Sequence, residues 1–137
     1  MEAFSIALSG LTAQKQRLAA TASNIANVST AGIIPRADPS APVSTVYKPL
    51  NVSFTSLETN GAGVGVRADV TPDANGYTIV YDPSSSYANS EGLLAVPDID
   101  LTEQIVNLIE TKTAFRANVS VIKTQDEMLG ELLNTIA

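Results

Sequence analysis

The last quarter of the chain carries a residue of one seam at every fourth and third position, without a break. Leu101, Ile105, Leu108, Lys112, Phe115, Val119, Ile122, Asp126, Leu129, Leu133 and Ile136 alternate 4 and 3, and nine of these eleven are apolar. That period keeps all of them on one face of an α-helix. Ile109, Val121, Met128 and Leu132 widen the stripe on its flanks. Pro97, then Asp100 with Glu103 three residues later, mark where the helix starts, with Asp100 as its cap. Running from Asp100 to Ile136, it would be about 55 Å long. That is too long for the core of a compact chain of 137 residues, and Gly130 is the only weak point within it.

The first thirty residues repeat the period. Phe4, Leu8, Leu11, Lys15, Leu18, Ala22 and Ile25 are spaced 4-3-4-3-4-3, which predicts one helix over residues 3–30. Gly10 weakens it by about 1 kcal/mol relative to alanine. Gly32 is the expected stop, since glycine readily takes the left-handed conformation after a last turn.

Residues 33–98 differ in kind. They hold all seven prolines and much Ser, Thr, Gly and Val. Val64, Val66, Ala68 and Val70 alternate with Gly65, Arg67 and Asp69, the pattern of a half-buried strand. Asn75-Gly76 within DANG predicts a hairpin turn, with YTIVYD as the return strand. VSTVYKPLNVSF holds one or two further strands, with Pro49 at an edge or break. IIPRADPSAP and DPSSSYANSEG read as loops. The expected fold is therefore mainly α with a small β-rich insert. Residues 1–32 and 99–137 form long terminal helices pairing as an antiparallel coiled coil, and residues 33–98 form the hairpin-containing insert.

Composition removes most chemistry. The chain has no cysteine and no histidine, so thiolate sites, disulfides and the commonest general base are excluded. GAGVGV (Gly61 to Val66) lies inside a strand pattern, not ahead of a helix, so it is no phosphate loop. The acids lack calcium-loop spacing. A net charge of −6 disfavours nucleic acid. No catalytic, cofactor or metal residues are expected, and no small-molecule substrate. No stretch is apolar enough to insert in a membrane. Glu2, Lys15 and Arg17 interrupt what a cleaved signal peptide would need.

Two stripes of this length leave apolar flanks exposed unless other copies cover them. An oligomeric or filamentous protein is expected on that ground alone. If Phe4 lies opposite Ile136, Leu8 meets Leu133, Leu11 meets Leu129, Leu18 meets Ile122 and Ile25 meets Phe115. Lys15 then meets Asp126, and an ion pair between them would fix the register.

TASNIANVSTAG (Thr21 to Gly32) resembles the signature near the N-terminus of bacterial flagellar rod, hook and hook-associated proteins, the flagellar axial family. IVNLIETKTAFRANVSVIKTQDEML (Ile105 to Leu129) is similar to that family's C-terminal helix, with its aromatic-x-Ala-Asn element at Phe115, Ala117 and Asn118. GVGVRADV and the stretch from Val80 to Ile105 resemble the proximal-rod members, of the FlgC type. Ile33 and Ile34 stand where the family pattern has an aromatic and a basic residue, and Ser84 to Ser86 stand in place of a histidine and a second proline.

The resemblance implies a structural subunit of the flagellar basal-body rod, exported by the flagellar apparatus without a cleaved signal. It would assemble with copies of itself and other rod proteins into a helical tube that transmits torque across the periplasm. The alternatives are a coiled-coil adaptor or secretion chaperone, or an axial protein of the distal-rod or hook type. For Asn24 and Asn27 two readings stand: local capping of the helix end, or amides that meet backbone groups of adjacent subunits.

Overall fold

The computed structural model describes residues 2–35 and 45–136. Helix α1 spans Glu2–Asn27 and helix α2 spans Leu101–Ile136. Between them come β1 (Leu50–Thr59), β2 (Ala62–Pro72), β3 (Tyr77–Tyr81) and β4 (Leu93–Pro97). The strands form two separate two-stranded sheets, β1 with β2 and β3 with β4. Part of the expected IIPRADPSAP loop lies outside the described residues. No helix among the described residues is long and apolar enough to cross a membrane.

Helix α2 begins as expected. The Asp100 carboxylate accepts from the backbone N–H groups of Thr102 at 2.7 Å and Glu103 at 3.4 Å, filling two of the donors a helix start leaves free. Gly130 does not interrupt the helix. Helix α1 stops at Asn27, three residues earlier than expected, and Gly32 is not its left-handed cap. Gly32 instead exchanges two backbone hydrogen bonds with Ala95, both 2.9 Å. A Cβ there would run into the backbone nitrogen of Val46 and lie 2.5 Å from its Cα. Glycine is required by close approach of backbone rather than by φ.

The hairpin turn is also elsewhere. Asn60 (φ 53°) and Gly61 (φ 77°) link β1 to β2, the two positive values that a type I′ turn demands. Asn75-Gly76 joins two sheets instead of two partners in one. There the Asp73 carboxylate accepts from Asn75 N–H at 2.9 Å, and Asp73 N–H donates to the Pro49 carbonyl at 2.8 Å. Strand β3 pairs antiparallel with β4, Tyr77 opposite Pro97 and Tyr81 opposite Leu93. The run LLAVP in β4 is apolar throughout, so alternation does not flag it. It is buried on both faces, with Ala95 fully enclosed.

Two compact units form. One draws on residues 1–19, 52–70 and 106–137, the other on 20–51 and 71–105. In the first, the β1–β2 hairpin lies against α1: Val66 N–H donates to Ser9 Oγ at 3.0 Å, and Gly65 leaves room for that serine. In the second, β4 lies between β3 and Gly32, with Val46 buried close to Gly32.

Candidate functional site: the helix faces

The faces of the two helices are distributed opposite to expectation. The buried residues of α1 are small or polar: Ala7, Gly10, Ala13, Ala20, Thr21 and Asn24. On α2 they are Gln104 and Thr111, with Asn107, Ala114, Asn118, Ile122 and Gln125 half-buried. This second stripe also keeps 3- and 4-residue spacing.

Within the first unit the helices run antiparallel, because Arg17 meets Asn107 and Glu110 while Gly10 meets Asn118. The absence of a side chain at Gly10 lets the Asn118 amide come close. A Cβ on Gly10 would lie 2.7 Å from Asn118 Nδ2. The Arg17 guanidinium donates to Asn107 Oδ1 and, at 2.7 Å, to the Glu110 carboxylate. It also sits 5.8 Å from the centre of the Phe54 ring on β1, within cation–π range. Thr111 Oγ1 donates back to the Asn107 carbonyl at 2.7 Å.

This corrects the expected seam. Lys15 opposite Asp126 would set Arg17 opposite Thr124. Arg17 pairs with Glu110 instead, 14 residues or two heptads away (124 − 110). Lys15 and Asp126 are both exposed and form no ion pair with each other. Alternating 4-3 spacing fits any register in steps of seven, so the charges could not select one. The observed register sets Gly10 against Asn118 and Arg17 against Asn107 and Glu110.

The apolar rows are left on the outside. Phe4, Leu8, Leu18, Leu101, Ile105, Leu108, Phe115, Val119, Leu129, Leu133 and Ile136 are all exposed, from 38% at Leu108 to 82% at Ile136. Leu11, Ile25 and Ile122 are half-buried. Some meet along the edges of the helix pair. Leu18, Leu108, Phe115 and Val119 line an open groove of about 620 Å³ with Lys112 and Arg116. Phe4, Val119, Ile122, Asp126 and Leu129 line another of about 450 Å³. Leu8 turns from Leu133 toward Leu57, Val66 and Ala68 of the hairpin. Fully burying a Leu, Ile or Phe side chain is worth roughly 1.5–3 kcal/mol, and these residues forgo a part of it in proportion to their exposure. A continuous row of them marks an interaction surface.

In the second unit, the two asparagines of the TASNIANVSTAG stretch part company. Asn24 is buried and uses its full hydrogen-bonding capacity within the chain. Its Nδ2 donates to the Leu50 carbonyl at 3.0 Å and to Gln104 Oε1 at 3.2 Å. Its Oδ1 accepts from Leu50 N–H at 2.8 Å and lies 3.0 Å from the Tyr47 hydroxyl, which also lies 2.9 Å from Ser23 Oγ. One amide thus ties the end of α1, the start of β1 and the start of α2. None of its valences is left for an adjacent subunit. Asn27 is a local cap: its Nδ2 donates to the Ser23 carbonyl at 2.8 Å and its Oδ1 accepts from Thr30 at 3.3 Å. Tyr47 and Gln104 complete these contacts, and neither stands in a pattern that spacing would reveal. Among the described residues, no three of His, Cys, Asp and Glu gather to hold a metal ion.

A family model described as flagella basal body rod protein matches residues 4–32. A second, the C-terminal region of flagellar basal body rod FlgEFG proteins, matches residues 90–135. The chain is 33% identical to the flagellar basal-body rod protein FlgC of Escherichia coli O6:H1, over 95% of this chain and 92% of that one. It is 31% identical to the FlgC of Borreliella burgdorferi, over 93% and 91%, and 28% identical to that of Bacillus subtilis, over 93% and 92%.

Proposed function

The chain belongs to the FlgC family of flagellar basal-body rod proteins, and on that premise we propose that it is a structural subunit of the rod. It assembles with copies of itself and with other rod proteins into a helical tube that transmits torque, and it performs no catalysis. Export through the flagellar apparatus without a cleaved signal belongs to the same reading.

One observation carries the proposal. The helix pair is closed within the chain by small and polar residues, while the apolar rows of both helices stay exposed. A chain whose own packing leaves Phe115, Leu129 and Leu133 in water is built to have them covered by neighbours. A register set internally, by Gly10 against Asn118 and by Arg17 against Glu110, presents those rows in a fixed geometry to each new subunit.

The test replaces exposed apolar residues singly, Phe115→Asp and Leu129→Asp, in a cell lacking the wild-type copy. Both variants should keep their helix content and urea midpoint, since the side chains are exposed in the single chain, and should fail to build a rod. Normal motility from both would overturn the proposal. A discrete dimer in sedimentation, with no larger assembly in the presence of other rod proteins, would favour the adaptor reading.

A further inference from the structure

We propose that the C-terminal end of α2 docks into the basic-rimmed groove on α2 of a second copy, making a head-to-tail contact. The proposal rests on the rod-subunit reading and specifies one of its interfaces. Lys112 and Arg116 border the groove formed by Leu18, Leu108, Phe115 and Val119. Among the described residues no acid lines it, and neither base has an ion-pair partner. The groove therefore offers an apolar floor and two uncommitted cations.

The end of the same helix has the complementary character. Phe4 shares a groove with α2 only as far as Leu129. Every described residue from Gly130 to Ile136 is exposed, with Leu133 at 71% and Ile136 at 82%. Residues 124–136 carry Asp126, Glu127 and Glu131 and no base. Glu127 is drawn to Lys123 at 3.7 Å, which leaves Asp126 and Glu131 free of ion pairs among the described residues. The negative end of the helix dipole adds to them, with no basic residue in the last turn to offset it.

An acidic, apolar helix end and a basic, apolar groove on one chain are complementary but not the same patch. Their contact is heterologous, and repetition generates an open helical array instead of a closed dimer. With the two α2 helices parallel, Leu133 over Phe115 offsets successive copies by 18 residues, about 27 Å along the helix (133 − 115, at 1.5 Å each).

The absence of native cysteine gives a clean test. Full-length Phe115→Cys and Leu133→Cys chains are mixed in equal amounts and oxidised. A disulfide needs Cβ atoms about 3.5–4.5 Å apart, so the mixed dimer should dominate both homodimers. Lys112→Glu with Arg116→Glu should reduce its yield by about tenfold or more. Glu131→Lys on the Leu133→Cys partner should restore part of the loss. Assembly without a dominant mixed dimer overturns the docking and leaves the rod reading intact. So does a yield indifferent to both charge changes. Chains that stay monomeric at every concentration, in cells that build rods without them, sink the rod reading and the docking together.

Discussion

Gly10 on α1 faces the side-chain amide of Asn118 on α2, and a methyl group at Gly10 would fall 2.7 Å from Nδ2 and 2.9 Å from Oδ1. In sequence this glycine is a defect in a helix. In the structure it is where the Asn118 side chain leaves no room for a Cβ. Gly10→Ala gains about 1 kcal/mol of helix propensity and pushes only the end of a rotatable side chain, so its urea midpoint should stay close to that of the parent. Gly10→Val leaves no such escape and should cost about 1–3 kcal/mol, as overpacking does. Equal midpoints for both variants would mean that the helices are not in contact here.

Asn24 and Asn27 should differ sharply when each is changed to alanine. Asn24→Ala strands the Leu50 N–H and carbonyl and removes a partner from Gln104 and Tyr47. Unsatisfied buried groups of this kind cost about 1–3 kcal/mol each. A loss of about 2–4 kcal/mol in chemical denaturation is expected. Asn27→Ala removes only contacts within its own helix end, and alanine is the better helix former. It should lie within about 0.5 kcal/mol of the parent.

Arg17 bonds Asn107 and Glu110 and packs near Phe54. Its side chain is 20% exposed, while that of Glu110 is 58% exposed, so the ion pair itself is screened and worth at most about 1 kcal/mol. Arg17→Ala should therefore destabilise more than Glu110→Ala. Arg17→Lys should recover little, because lysine lacks the planar fork that reaches two acceptors. A double-mutant cycle between positions 17 and 110 that returns the whole of the Arg17→Ala effect would contradict this division.

At the turn after β3, the Ser84 hydroxyl donates to Asp82 Oδ1 at 2.6 Å and the Ser84 N–H donates at 3.1 Å. These bonds hold the Asp82 carboxyl below its usual value of 3.8. The folded form favours the ionised carboxylate, so its contribution is present above pH 3.8 and is lost as pH falls through the lowered value. In an NMR titration, Ser84→Ala should move the Asp82 midpoint up toward 3.8. No movement would show that the hydroxyl is not the cause.

Much of the fold is legible because helix signals are local. Asp100 caps α2 as its spacing with Glu103 foretells, and both helices follow their apolar period nearly to their ends. Which face closes the pair is not legible from hydrophobicity. The apolar rows are the stronger pattern, but the helices meet at Gly10 against Asn118, and the residues buried beside it on α1 are the small Ala7 and Ala13. That second stripe is present in the sequence, and only a criterion of size would have ranked it first. Asn60-Gly61 and Asn75-Gly76 carry the same dipeptide. Backbone sign separates them: Asn60 and Gly61 both take positive φ, whereas Gly76 is set by Asp73 and Pro49 around it. Tyr47 reaches Asn24 from a distance of 23 residues, which no local pattern encodes.

The outward placement of the apolar rows has a thermal consequence. The contacts that close the helix pair are small and polar, so their strength changes little with temperature. Covering Phe115, Leu129, Leu132 and Leu133 removes apolar surface from water and lowers the heat capacity of the assembled state. That contribution weakens on cooling. Chilling should therefore loosen contacts between copies while each copy keeps its own fold, and warming over the physiological range should tighten them.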